Sequence, residues 1–384
     1  MVKGMASKER LLVAMSCEEP DTVPVAPRFG WFTDEYYGSY SWMKHLRAGR
    51  EFDFDPLIIV GPFAPAYAYT WYPLGPFSLK GVEVKLDVHW AGSDRIVMRQ
   101  IQTPEGSLSD KTVLYASRAI DISKPYYTPD PKKLEFLVKS PDDLKRIKYL
   151  LPDPDLDYPD LREIIKFVGE NGLVEVACYG PLDHLFVYGM ENLLASPHRD
   201  RRFFIDLLHM IQEHVLAETE AYLKAGAEAI FTPWYFCSMS VGWSPRIYQD
   251  YFVPLIKQQV DLVHKYDAVY DLYDDGKCMA IIKMLKECDI DSLQTLTPPP
   301  YGDLDLAKAK EEIGDRVCLS GYIDAPNVIR NTKPEVIAEE VKRAIEIAAP
   351  SGGFILGASD DIARETPLEN VRAYFRAGRK YGKY

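Results

Sequence analysis

No stretch of this 384-residue chain approaches the ~20 consecutive apolar residues that a membrane-spanning helix needs. The opening MVKGMASKERLLVAMS also lacks a long apolar core followed by a small-residue cleavage site. A membrane partner is therefore not expected, and the expected compartment is the cytoplasm. The six cysteines, Cys17, Cys178, Cys237, Cys278, Cys288 and Cys318, have no CxxC spacing, which argues against a disulfide framework and a zinc ribbon and for reduced, mostly buried thiols. Positive charge is in deficit, with 45 basic against 57 acidic residues and a net charge of -12, so nucleic acid is not an expected partner. GxGxxG and Walker A phosphate-binding signatures are missing too, which removes the usual sequence argument for an open nucleotide-binding sheet.

What the chain has is alternation. From residue 173 onward, short β-rich runs are each followed by a segment of helical period: LVEVACYG, AEAIFTP, AVYDLYD, SLQTL, VCLSGY and GFILGA. Two upstream runs, VPVAP at 23–27 and DPLIIVG at 55–61, bring the strand count to eight. Eight β/α units predict an α/β fold of the closed (β/α)8 TIM-barrel type. Between the second and third strands, residues 82–120 alternate with period two around a Pro-Glu-Gly turn, which predicts an inserted antiparallel hairpin. A proline-rich stretch follows and is expected to wrap the outside. The expected organisation is one barrel domain over 1–384 with an insertion at about 80–160.

Barrel enzymes carry their chemistry at the C-terminal ends of the strands. Those ends collect Arg28 and Trp31 after the first strand, Tyr179 and His184 after the third, and Trp234, Tyr235 and Cys237 after the fourth. The fifth ends in AVYDLYDDGKC, with Tyr273, Asp274, Asp275, Gly276 and Lys277; Tyr322 and Asp324 follow the seventh, and Asp360 and Asp361 the eighth. Crowded carboxylates repel unless water, a cation or a substrate relieves them, and burial raises at least one of their pKa values. Tyr273, Asp275 and Asp360 are therefore the candidate catalytic set. Arg28, Trp31, Tyr179, His184, Trp234, Tyr235, Cys237, Lys277 and Asp361 are candidate substrate contacts. The aromatic loops, drawn from 25 tyrosines and 6 tryptophans, point to a pocket for a flat or apolar ligand. His184 serves equally as an acid/base group or a packing residue, Lys277 as an anion contact or a salt-bridge partner of Asp274 and Asp275, and Asp324 as a helix cap.

Four stretches, SKERLLVAMSCEEPDTVPV, TPEGSL, GWSPRIYQDYFVPLIKQQVDLVHKY and GGFILGASDDIARETPLENVRAYFRAGRKYGKY, resemble the uroporphyrinogen decarboxylase superfamily. The insertion and C-terminal pattern are more similar to its corrinoid-dependent methyltransferase branch. The resemblance implies a barrel whose mouth accepts a methylated small molecule and docks a separate corrinoid protein, with a homodimer left open. Thiol-methylating members carry His-x-Cys-Gly after the fifth strand and a cysteine after the eighth, as zinc ligands. The matching positions here are Tyr273, Asp275 and Asp360. O-demethylating relatives have a His-Ser-Asp-Gly version, of which only Asp275-Gly276 is kept, with Asp250 near one upstream acid.

These departures argue against a thiolate zinc site and leave open hard-oxygen metal binding by Asp275, Asp360 and Asp361. No tightly bound cofactor is expected; the corrinoid belongs to the partner. The decarboxylase's paired N-terminal arginines reduce to Arg28 alone, which disfavours a substrate with many carboxylates. The expected activity is demethylation of a small, aromatic or otherwise apolar methylated compound with a corrinoid protein as acceptor. The alternatives are a decarboxylase-like enzyme and a non-catalytic ligand-binding relative.

Overall fold

The computed structural model describes residues 4–61, 79–115, 132–151, 158–182 and 188–384. The chain forms two compact units, one from residues 1–61, 157–178 and 219–384 and the other from 62–156 and 179–218.

The first unit is built on a seven-stranded, wholly parallel sheet: β1 (Leu57–Val60), β6 (Leu173–Ala177), β7 (Ala229–Pro233), β8 (Val269–Tyr273), β9 (Ser292–Leu296), β10 (Cys318–Ile323) and β11 (Phe354–Ala358), adjacent in that order. Strands covered on both faces read as continuous apolar runs, and β6, β7, β9 and β11 are buried at every position. The expected first strand, 23–27, is not a regular strand. Val25 makes one parallel bridge to Leu356, with Leu356 N–H donating to Pro24 O and Ala26 N–H to Leu356 O, both at 2.9 Å. On the other side, Asp55 N–H donates to Val25 O at 2.8 Å. Pro24 and Pro27 lack the N–H groups a longer ladder would need. This α/β arrangement fits a TIM-like barrel.

Successive inward side chains along a stave are two residues apart. At one level Leu57, Leu173, Ala229, Cys318 and Ile355 pack with Ala26 against Leu11, Ala14 and Met15 of the helix Ser7–Met15. Four residues further along β6 and β8, Ala177 and Tyr273 form a second cluster with Phe231. Buried Asp55 is ion-paired to Arg10 and to Arg379 (2.9 Å), the latter on the C-terminal helix Leu368–Tyr381.

The second unit contains a four-stranded antiparallel sheet, β2 (Glu83–Ala91), β3 (Asp94–Thr103), β4 (Gly106–Leu114) and β5 (Lys132–Glu135). The expected hairpin is present as β3 and β4, turning at Pro104 and Glu105, and a strand is added on either side. Arg99 and Asp110 face each other across β3 and β4, and the buried Arg99 Nε donates to Asp110 Oδ1 at 2.7 Å. Residues 126–131 and 152–157 of the proline-rich stretch lie outside the described residues. No helix among the described residues is long and apolar enough to cross a membrane.

Candidate active site

The loop leaving β8 needs its glycine. Gly276 has φ +112, and a Cβ there would lie 2.1 Å from Ser240 Oγ, so a side chain is excluded twice over. Neighbouring loops hold the turn: Ser238 Oγ donates to Asp275 O (3.0 Å), Lys277 N–H to Ser240 Oγ (2.9 Å) and Cys278 N–H to Asp303 Oδ1 (2.8 Å). Asp275 is thereby aimed at the mouth while Asp274 turns into the protein, only 2% exposed.

The three candidate catalytic residues meet. The Tyr273 hydroxyl lies 3.5 Å from Asp275 Oδ2 and 3.4 Å from Asp360 Oδ1. Arg28 stacks its guanidinium over the same ring, 4.6 Å from the centroid, and lies 5.4 Å from that of Phe231. Its Nε and Nη1 are enclosed and have no hydrogen-bond partner among the described residues. Burial, and then the charge of Asp360, raise the Asp275 carboxyl above its ordinary value, against the pull of Arg28. Burial and Asp360 likewise lift the Tyr273 phenol well above its usual range, so it acts as a neutral donor. Asp361 Oδ1 accepts the Trp31 N–H at 2.9 Å at the start of the helix Gly30–Tyr37, while burial pushes this carboxyl up to about 7.

Beside this constellation is a cavity of about 510 Å³ whose lining includes Trp31, Tyr235, Asp275, Asp360 and Asp361. Of the sequence-predicted contacts, Trp31, Tyr235 and Asp361 face it directly. Trp234 and Cys237 do not line it; both are fully buried. Trp234 needs an acceptor for its indole N–H and finds it away from the cavity, in the Tyr270 hydroxyl at 3.2 Å. Lys277 is exposed and makes no ion pair among the described residues, so it does not neutralise Asp274. Tyr179 is half-buried in the second unit, and His184 lies outside the described residues. Asp324 caps the turn that follows β10, accepting Asn327 N–H at 2.8 Å.

A polar layer inside the sheet was missed by the sequence reading. Glu175 on β6 and Asp271 on β8 are fully buried, and Gln294 Nε2 donates to Asp271 Oδ2 at 2.6 Å. Burial raises both carboxyls, Glu175 well above its ordinary value and Asp271 to about 6. The signal was available: a charge at the centre of LVEVA and of VYDLY, strands buried at every position but Val269, demands an explanation.

Among the described residues, no group of three or more His, Cys, Asp or Glu side chains is arranged to hold a metal ion. Two carboxyls sharing a phenol beside a guanidinium do not fit the zinc site of the thiol-methylating relatives, because Arg28 already supplies positive charge there.

The family model described as uroporphyrinogen decarboxylase (URO-D) matches residues 124–381. The uroporphyrinogen decarboxylase of Chlorobium phaeobacteroides is 24% identical over 207 residues, covering 53% of this chain and 55% of that protein. That of Chlorobaculum tepidum is 26% identical over 215 residues, covering 54% and 56%. The chain thus spans little more than half the length of these relatives. A methyltransferase from Methanosarcina mazei superposes with a TM-score of 0.65 over 98% of this chain and 99% of that one at 17% identity, a likeness of fold. With the family model matching well over half of its length, the chain belongs to the uroporphyrinogen decarboxylase family.

Proposed function

We propose that the protein is a methyltransferase-type barrel enzyme that demethylates a small, aromatic or otherwise apolar methylated compound and passes the methyl group to a corrinoid protein. The observation that carries this reading is the Tyr273 hydroxyl held between Asp275 and Asp360 at the wall of a cavity bearing Trp31 and Tyr235. A methyl–oxygen bond breaks more easily when the oxygen that keeps the bonding pair receives a proton. Protonated Asp275 would donate that proton, Tyr273 would hydrogen-bond the same oxygen, and Asp360 would orient Tyr273. Trp31 and Tyr235 would hold the aromatic body by stacking. The corrinoid supplies the attacking cobalt nucleophile from the partner. The cytoplasm is its proposed compartment, and the Pro24–Ala26 segment the eighth stave of a closed barrel.

Incubation of the protein with methoxylated phenols and a reduced corrinoid protein tests the reading. Release of the free phenol, with the matching spectral change of the corrinoid, supports it. Absence of both across a panel of aryl methyl ethers, together with ligand-induced thermal stabilisation, would identify a ligand-binding relative instead.

One observation favours a second reading, a decarboxylase-like enzyme. The positive charge of Arg28, held over the Tyr273 ring with Nε and Nη1 lacking a hydrogen-bond partner among the described residues, would attract a substrate carboxylate if the guanidinium turned toward the cavity. In that reaction the carboxylate leaves as carbon dioxide, and a protonated acid such as Asp275 delivers a proton to the carbon left behind. Carbon dioxide release from aromatic or pyrrolic carboxylic acids without any corrinoid would select it.

A further inference from the structure

The end of β9 holds one residue more than its neighbour. Ser320 of β10 pairs with Gln294 and the next residue, Gly321, pairs with Leu296, so Thr295 is passed over. Thr295 is enclosed and sits at φ +62, a left-handed conformation that β-branched residues rarely adopt. Gly321, opposite, has φ +130, and a Cβ there would lie 2.8 Å from Leu296 N. Backbone held in this region persists only where its surroundings enforce it, and such residues gather at functional sites. One extra residue reverses the alternation of faces beyond it. Gln294 reaches Asp271 in the polar layer, so an unbroken strand would put Leu296 on that face and turn Thr297 away. The bulge instead brings Thr297 to the cavity, between Gly276 and Ser359.

At that place a single oxygen touches the two loops that carry the acids. Thr297 Oγ1 accepts the Gly276 N–H at 3.4 Å, and its one proton serves two carbonyls, Thr295 O at 2.9 Å and Ser359 O at 3.4 Å. Gly276 N belongs to the peptide that leaves Asp275, and Ser359 O to the peptide that enters Asp360. The first of these peptides is held at its other end by Ser238 Oγ, which donates to Asp275 O at 3.0 Å, and Ser359 is tied to β10 by its N–H on Ile323 O at 2.8 Å. We propose that Thr297 is a positioning residue whose hydroxyl fixes the separation of Asp275 and Asp360, and thereby the seat of the Tyr273 hydroxyl between them. The inference rests on the reading of Asp275 as proton donor and Asp360 as the group that orients Tyr273. The titratable and charged groups facing Asp275 are Tyr273 of β8, Arg28 of the N-terminal segment, and Asp360 and Asp361 after β11, with Arg330 on the same cavity. The charge of Asp360 helps to hold the Asp275 carboxyl up. Loosening the Thr297 contact lets the two acids part and lets that carboxyl fall toward its ordinary range.

Two substitutions separate the oxygen of this side chain from its shape. Thr297→Val removes the hydroxyl and keeps the volume, whereas Thr297→Ser keeps the hydroxyl. On an aryl methyl ether that is turned over, Thr297→Val is expected to lose about tenfold in kcat with KM within about twofold of wild type, and Thr297→Ser to retain most of the activity. The alkaline limb of the pH profile should move to lower pH in Thr297→Val and stay in place in Thr297→Ser. Carbon-13 NMR of aspartate-labelled protein reads the same displacement without turnover, as a lower titration midpoint for the carboxyl signal that Asp275→Asn removes. A protein that demethylates nothing would end the functional reading and leave this titration to decide the role of Thr297. Thr297→Ala, which opens space, provides the same readouts should the valine be poorly accommodated. Wild-type kcat in Thr297→Val, an equal loss in Thr297→Ser, or a lowered Tm with an unmoved Asp275 midpoint would each overturn the proposal, the last because Thr297 would then serve stability alone.

Discussion

The phenolic oxygen of Tyr273 and a carboxylate oxygen of Asp360 lie 3.4 Å apart although 87 residues separate them in the chain. Tyr273 ends β8, and Asp360 follows β11 in the loop at the same end of the parallel sheet. With Asp275 at 3.5 Å on its other side, the hydroxyl has two long contacts in place of one tight bond, which leaves it able to turn toward a substrate oxygen. Removing that hydroxyl in Tyr273→Phe is expected to lower kcat by about tenfold to a hundredfold and to raise KM, since it touches substrate in both ground and transition states. Steady-state kinetics on an aryl methyl ether that is turned over would show whether both parameters move.

Asp275 should set the alkaline limb of the pH profile. Its carboxyl is raised by burial and by Asp360, so the donating form persists further toward neutrality and is lost as pH climbs through the raised value. Activity should therefore fall on the alkaline side. Asp275→Asn should cost about a hundredfold in kcat and abolish that limb, while leaving ligand affinity nearly unchanged. A variant that keeps the wild-type limb would assign it to another group.

Arg28 separates the two chemical readings. In the decarboxylase reading its guanidinium donates to the substrate carboxylate, so Arg28→Met is expected to weaken binding of a carboxylated aromatic by about tenfold to a hundredfold and leave its methyl ester almost unaffected. Calorimetric titration of acid and ester against wild type and variant provides the comparison. Equal losses for acid and ester would place the role of Arg28 in holding the Tyr273 ring.

The rhythm of strands and helices was legible because buried parallel strands are short, apolar and bounded by loops, as in AIFTP and FILGA. The meeting of Tyr273, Asp275 and Asp360 was legible for a related reason: in such a sheet every strand delivers its C-terminal loop to one end. Trp234 was misread because position in a loop does not say which way a side chain turns, and its N–H was satisfied by Tyr270. The first strand was overread because the prolines that mark its ends also remove its donors. Glu175 and Asp271 sit at strand centres, where the rule that chemistry gathers at strand ends gives no signal.

Asp274 makes stability depend on pH. It is buried, neither carboxyl oxygen has a hydrogen-bond donor within reach among the described residues, and the nearby Ser238 hydroxyl donates to Asp275 O at 3.0 Å. Burial raises its pKa from an ordinary 3.8 to about 8, so the folded state holds a proton that the unfolded chain releases. Its contribution is complete below the unfolded value and declines as pH rises toward the folded one, by up to about 1.4 kcal/mol per pH unit. Between pH 5 and 8 the wild-type Tm should fall, and Asp274→Asn, which keeps the neutral shape, should flatten the fall. A variant whose Tm tracks the wild type across that range would show that Asp274 is not the group responsible.

Glu175 and Asp271 extend this argument to the sheet interior. Both are raised by burial; Asp271 raises Glu175 further, while a hydrogen bond from Glu175 lowers Asp271, so the pair titrates as a unit that keeps a proton in the folded state. Gln294 donates to Asp271 Oδ2 and leaves the other oxygen, Oδ1, for a donor on Glu175. Glu175→Gln supplies that donor permanently as an amide N–H. The variant is expected to match the wild type within about 1 kcal/mol near pH 5, where the shared proton is present, and to exceed it at pH 8, where the wild type is under pressure to lose it. Glu175→Leu offers no donor, leaves Asp271 Oδ1 orphaned, and should lose about 1–3 kcal/mol at pH 8. Chemical denaturation of the three proteins at both pH values decides the matter. A Glu175→Gln protein less stable than wild type at pH 8 would mean that Glu175 is ionised in the folded protein, held as a counter-charge to Arg28, and that the inner layer is an ion pair instead of a proton store.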